Sequence, residues 1–344
     1  MRNDKATRYL AVLLLVLAVV LGAIALLNYV IDPLWFFGGN KLQGRNFPFD
    51  ERTARVAHFV TSDRDFDCYI FGASRTGMMN EHDFKGHNCF MVSFENASPS
   101  ELVAYAKYLK AHAKREPDLV IVGVDDFDFI DQADAHDLPA PIQDNEIPHF
   151  WEYYFSTDVA RWSLATALDL APKPRYYGKD LTGQIRADAG SLPILRMKLE
   201  PGQKWHMSLN SVNEYAKFRQ IFPKAHLVAY ATPIAATRIK LFQQSGLLPF
   251  FLKALHATAA QFDEMYDFSI PSAITANPHL TYDGSHYQPS VSDTIAAAIQ
   301  NHESSFGIVI SGHSLEEITG LYARRLALYT SGVEARADPV RALH

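Results

Sequence analysis

The chain has 344 residues, 48% of them hydrophobic, with 38 acidic residues against 32 Lys and Arg and a formal net charge of −6. That apolar share supports one large core or two smaller ones and excludes a disordered chain. The acidic balance, with no clustered basic face, argues against a general nucleic-acid binder, because neutralising phosphates needs concentrated cationic charge.

Taken in chain order, the first element is the 22-residue stretch Tyr9 to Val30, free of charge and rich in Leu, Val and Ala. At about 1.5 Å per residue it matches a hydrocarbon core of about 30 Å. Leu26-Leu27-Asn28-Tyr29 is a poor cleavage site, so an uncleaved anchor is expected rather than a signal peptide. Arg2, Lys5 and Arg8 precede the span, while Asp32 and the aromatics Trp35, Phe36 and Phe37 follow it. By the positive-inside rule and the aromatic belt, residues 1–8 form a cytoplasmic tail and everything after residue 31 lies outside the cytoplasm.

Gly38 to Phe49 reads as a short linker within a lead-in region, 31–60, that ends in a weakly helical stretch, Glu51 to Thr61. An α/β domain is expected over 61–312. Its first strand is Cys68 to Phe71, which stops at Gly72-Ala73-Ser74-Arg75-Thr76-Gly77. Cys89 to Phe94 is a second strand, and Ser98 or Ser100 can cap the helix after it. Asp118 to Val124 is a near-continuous apolar run, as in parallel strands covered on both faces. Strand, helix and strand in repetition predict a parallel sheet.

From 131 to 205 the pattern gives way to prolines, aromatics and short helical pieces such as Asp158 to Leu170. That length suits either a lid-like insertion or a partner surface. Order returns with a helix near Val212 to Ile221, a strand at His226 to Tyr230, a helix near Pro249 to Phe262 and a strand near Met265 to Phe268. A helix opened by Pro289 runs to Ile299. A strand at Phe306 to Ile310 then precedes residues 313–344, a C-terminal helix and tail.

The two cysteines, Cys68 and Cys89, each open a strand. In neighbouring parallel strands of similar register they could form a bridge in an oxidising compartment; otherwise they are two small buried thiols.

The chemistry rests on Ser74 and on Tyr282-Asp283-Gly284-Ser285-His286. A serine hydroxyl needs a base within reach and an orienting group for that base. His286 supplies the base and Asp283 the orienter. Donors for a developing oxyanion are the backbone N–H groups of Ser74 and Ala97 and the side-chain amide of Asn96.

Phe71-Gly72-Ala73-Ser74-Arg75 and Asp283-Gly284-Ser285-His286 resemble the nucleophile and terminal Asp-x-x-His blocks of the SGNH (GDSL-type) hydrolase superfamily. The likeness is strongest to its membrane-anchored branch associated with acylation of cell-envelope polysaccharide. The resemblance implies a flavodoxin-like three-layer sheet with Ser74 as nucleophile, His286 as base and Asp283 as its partner. It also implies a single-pass protein of the bacterial inner membrane with a periplasmic catalytic domain, a polysaccharide substrate and a multispanning acyltransferase partner, and no cofactor.

Two departures stand out. Asn96-Ala97 replaces the family's oxyanion glycine, and Gly123-Val124-Asp125-Asp126 stands where a Gly-x-Asn-Asp block is expected. An ionised Asp125 would repel the oxyanion, shifting the donor role to Asn96 or Arg75. Arg75 could hold an anionic group or pair with Asp125 or Asp126. The acidic group Asp125, Asp126, Asp128 and Asp131 reads as alternating faces of a strand, not as a metal site. His112, His136 and His149 read as surface residues, and the Ser74 turn lacks the ending of a phosphate-binding loop. The expected function is a serine O-acyltransferase or esterase acting on acyl groups, above all acetyl. The alternative is a catalytically degenerate relative that binds polysaccharide or scaffolds a membrane complex.

Overall fold

A computed structural model of the chain describes residues 2–130, 137–170, 174–186, 206–277, 279–303 and 306–331. The chain divides into two compact units, one drawn from Met1–Ser62 and Glu146–Arg186, the other from Asp63–Asn145 and Ala187–His344. Its strands in chain order are β1 (Cys68–Gly72), β2 (Cys89–Ser93), β3 (Leu119–Val124), β4 (Arg175–Tyr177), β5 (Gly183–Ile185), β6 (His226–Ala231), β7 (Glu264–Asp267) and β8 (Ile308–Val309).

The second unit is an α/β domain built on a six-stranded sheet ordered β2-β1-β3-β6-β7-β8. All neighbours are parallel except β8, which runs antiparallel to β7. The apolar runs that predicted these strands are buried on both faces, as parallel strands require. Alternation along β1 divides the core. Cys68 and Ile70 face a cluster shared with Val291, Ile295 and Ile299 of helix Pro289–Gln300. Tyr69 and Phe71 point the other way, onto Phe218 and Phe222 at the end of helix Asn210–Ile221. Three layers result, with β1 between the edge strand β2 and β3.

Cys68 and Cys89 are paired in register between β1 and β2 and joined by a disulfide. The expected helix after β2 spans Pro99–His112, and Ser98 rather than Ser100 caps it, accepting from Glu101 N. Asp126 to Phe129 form a short 3-10 turn and not a strand, so the acidic residues there do not alternate between two faces. Asp131, His136, much of the 131–205 segment and the tail beyond 331 lie outside the described residues.

The first unit gathers the end of the long helix Arg2–Ile31, helix Glu51–Thr61, helix Thr157–Ala167 and the antiparallel hairpin β4-β5. Within the long helix, Lys5–Ile31 is long and apolar enough to cross a membrane. Its last turn is built into protein: Asn28 is buried, donates to Tyr154 O (2.8 Å) and accepts from Ser163 Oγ (2.9 Å). Asp32 then accepts from Phe37 N (2.8 Å), Gly39 N (2.7 Å) and the Tyr154 hydroxyl.

This tight reversal corrects the aromatic belt expected after the span. Trp35 and Phe36 are turned into the core, and the Trp35 Nε1 donates to Lys179 O (3.0 Å). Only Phe37 of the three stays substantially exposed. The stretch 38–49, read from sequence as a linker, is folded as well. Asn46 Nδ2 donates to Ile31 O and Asp32 O (3.2 and 2.9 Å), and Lys41 Nζ reaches the helix-end carbonyl of Tyr29 (2.9 Å), a favourable place for a cation.

The disulfide closes a loop of sequence separation 21, which limits the unfolded chain and contributes about 3 kcal/mol in the chain-entropy model. Replacing Cys89 by Ala is expected to lower the denaturation free energy of the detergent-solubilised chain by about that amount. Thiol counting by mass spectrometry without reductant should find none; two free thiols under oxidising conditions would contradict the bridge.

Candidate active site

The nucleophile turn follows from how β1 ends. A Cβ on Gly72 would lie 2.1 Å from Thr76 Oγ1, and one on Gly123 of β3 would lie 2.2 Å from the same atom. The two glycines therefore leave a notch on adjacent strands that receives the fully buried Thr76. Tyr230 OH donates to Thr76 Oγ1 at 2.8 Å and secures it there. The chain must double back within a few residues to fill the notch, and Ser74 sits at the bend, partly exposed.

Arg75 is held from the opposite side. Its Nη1 donates to Asp125 Oδ1 (3.0 Å) and Asp126 Oδ1 (2.7 Å), while Arg238 Nε donates to the other oxygen of Asp126. Both guanidinium groups lie against the Phe127 ring, at 5.3 and 4.1 Å. Of the two sequence readings of Arg75, the ion pair is the one realised. Burial acts to lower the Arg75 pKa, but the charges of Asp126 and Asp125 raise it, so the cation is secure. Burial likewise acts to raise the Asp126 pKa, and Arg75 and Arg238 hold it below the usual carboxylate value. Asp125 also accepts from the Thr232 hydroxyl. Its carboxylate is therefore committed to a cation and a hydroxyl, as the ion-pair reading of Arg75 allowed.

His286, the candidate base, lies on the loop before helix Pro289–Gln300. Tyr282 N donates to His286 O (3.0 Å), and Gly284, at φ 87°, supplies the left-handed residue that lets the loop close. Asp283 uses its two oxygens separately. Oδ1 accepts the backbone N–H groups of Ser285 (2.9 Å) and His286 (2.8 Å), and Oδ2 lies 2.7 Å from His286 Nδ1. His286 Nε2 lies 2.8 Å from Ser74 Oγ. With Nδ1 protonated and donating to Asp283, Nε2 is left as the acceptor for the serine proton. Burial works to raise the Asp283 pKa, but the His286 side chain and the backbone N–H groups of His286 and Ser285 bring it down to about 2, so it is an anion at any neutral pH.

The strands bring the remaining candidates to the same sheet edge. Gly72 pairs with Ser93 and Phe71 with Val122, so the chain leaves β1, β2 and β3 at neighbouring carboxyl ends. Asn96, after β2, is exposed with φ 54°, a conformation that Asn tolerates better than other non-glycine residues. An asparagine can thus stand at a bend where glycine is expected. Ala97 beside it is buried.

Sequence reasoning missed Thr76, Tyr230, Thr232, Arg238 and Tyr215. Tyr215, Tyr230, Thr232 and Arg238 come from elements far along the chain and carry no local motif, whereas Thr76 lies in the Ser74 turn itself. The Gly72 and Gly123 spacing was the one available signal, since each glycine marks a close approach. Among the described residues no group of three or more His, Cys, Asp or Glu could hold a metal ion. Comparison of the chain with protein-family models, with curated proteins and with solved structures finds no match.

One buried carboxyl offers a direct test of this charge network. Asp128 Oδ2 accepts from Asp125 N (2.7 Å) and Tyr215 OH (2.5 Å). Burial, followed by the charge of Asp125, pushes its pKa well above the ordinary value. The folded state therefore keeps this proton to higher pH than the unfolded state, and the group costs stability as pH rises from about 4. Asp128→Asn can accept the same two bonds without charging. Its stability relative to the parent is expected to increase from pH 4 to pH 7 in denaturant titrations; a difference that stays constant or falls would refute the assignment.

Proposed function

We propose that this protein is a serine-dependent O-acyltransferase or esterase of the SGNH type. The carrying observation is the continuous relay from Ser74 Oγ to His286 Nε2 and from His286 Nδ1 to Asp283, at 2.8 and 2.7 Å. The sheet order supports the reading. With the inserted hairpin set aside it follows the flavodoxin-like pattern, in which the chain turns to opposite sides of the first strand and sites form at that switch point.

In the proposed reaction His286 takes the Ser74 proton as Oγ attacks the acyl carbonyl, and Asp283 stabilises the imidazolium that forms. The alcohol leaves with that proton. A sugar hydroxyl or water, deprotonated by the same imidazole, then releases the acyl group from Ser74. The Ser74 and Ala97 backbone N–H groups and the Asn96 amide remain the proposed oxyanion donors. Arg75 is removed from that role by its pairing with Asp125 and Asp126. The neutralised carboxylates instead leave a site suited to an uncharged acyl ester.

The apolar N-terminal helix and the disulfide favour a membrane-anchored protein facing an oxidising compartment. We place it in a bacterial inner membrane, acting on acetyl groups of an envelope or exported polysaccharide. A multispanning acyltransferase would supply acyl groups from the cytoplasm.

A second reading, a degenerate member that binds polysaccharide or scaffolds a complex without turnover, draws on Asp125 standing where an amide donor is expected. Hydrolysis of an activated acetyl ester by the full chain in detergent separates the two. Ser74→Ala should reduce the rate by at least about a hundredfold, and Asp283→Asn, which leaves His286 without its orienting charge, by a comparable factor. Equal rates for parent and Ser74→Ala would sink the catalytic reading.

A further inference from the structure

The long helix emerges from the first unit at about Leu27: Asn28 is buried and bonded to Tyr154, whereas the chain from Lys5 to Ala23 is exposed. From Tyr9 to Leu27 the helix rises about 28 Å, close to the thickness of a hydrocarbon core. Once that stretch crosses a membrane, no slack remains between bilayer and fold. The protein surface around the helix exit must then lie at headgroup depth.

That surface is aromatic. Tyr29, in the last turn of the helix, packs on Phe37 with ring centroids 5.0 Å apart; Phe37 packs on Phe150 at 5.6 Å, and Phe150 on Trp151 at 5.3 Å. All four rings stay open on one side, at 44%, 39%, 45% and 50% exposure. Lys41 Nζ lies 4.4 Å from the Tyr29 ring centroid, which puts a cation beside the row. A soluble surface does not normally leave four adjoining large rings in water. Tyr, Trp and Lys are the residues that settle at a membrane interface, with an apolar body turned to the acyl chains and a polar tip turned to water.

We propose that helix Phe150–Tyr154 lies on the bilayer surface, with Phe150 and Trp151 joining Tyr29 and Phe37 as a second, interfacial membrane contact beside the span. The occupant is the bilayer because the row is continuous with the lipid-facing helix. The contact would fix the first unit's tilt where a lone span would leave it free to swivel. The inference rests on the helix crossing a membrane, and its test separates the two.

Both native cysteines are consumed in the disulfide, so a single added cysteine can be labelled selectively. Nitroxide is attached to the full chain at Trp151→Cys, Phe150→Cys, Leu17→Cys in mid-span or Lys224→Cys on an exposed turn, each reconstituted in phosphatidylcholine vesicles. Accessibility to oxygen and to a water-soluble nickel chelate is then read. All four positions are exposed, so the parent fold should be retained. The expected result is a strong shift toward oxygen at Leu17 and an intermediate shift at 150 and 151 relative to Lys224. Values at 150 and 151 equal to Lys224, with Leu17 in lipid, would overturn the interfacial contact while keeping the span. Exclusion of both reagents at 150 and 151, with an immobilised spectrum, would assign the row to a protein partner or a second copy and also overturn it. A water-like Leu17 would remove the span and the proposal together.

Discussion

The carboxylate of Asp126, with no exposed side-chain surface, holds Arg75 on one oxygen and Arg238 on the other. A buried charge of this kind costs several kcal/mol to desolvate and persists only if its partners are well placed. Here they tie together the turn after β1, the turn after β3 and helix Ala236–Gln244. The residue that precedes Arg75 is Ser74. A serine on a free loop would sample many positions, whereas this one is flanked by an anchored guanidinium and by Thr76 locked into the notch of Gly72 and Gly123. The fixed position of Ser74, the proposed nucleophile, is thus a consequence of buried electrostatics and of two missing Cβ atoms.

β1 is held at its other end too, by the disulfide to β2. The strand is thus tied at both ends, and His286, the proposed base, comes to it from a different part of the chain. Asp283 performs the matching task on its own loop, closing the backbone with one oxygen and aligning the imidazole with the other. Each half of the relay is therefore held by its own local contacts.

Much of this was legible in sequence because the chemistry is local. Apolar runs such as Leu119–Val124 announced the central strands, the positions of Cys68 and Cys89 allowed a bridge, and Asp283 and His286 stood three apart. What escaped was set by distant partners. Arg75 gave two equal readings until Asp125 and Asp126 were seen to hold it. Trp35 and Phe36 look like interfacial residues beside an apolar span, yet Asp32 turns the chain back and buries them. The β4-β5 hairpin has strands of three residues, too short to show alternation, and helix Ala236–Gln244 has polar and basic residues interrupting its apolar face. Asp126 to Phe129 continued an apolar strand on paper; the 3-10 turn that breaks it is closed by Asp128 accepting from Asp125 N, a bond that sequence does not reveal.

The central claim is that Ser74 is an activated nucleophile. It is tested most directly by treating the chain with a fluorophosphonate and mapping the adduct by peptide mass spectrometry. The account predicts phosphonylation of Ser74 alone among the serines, lost when His286 is replaced by Ala. Modification that ignores the His286 replacement, or that falls on other serines with Ser74 untouched, would contradict it.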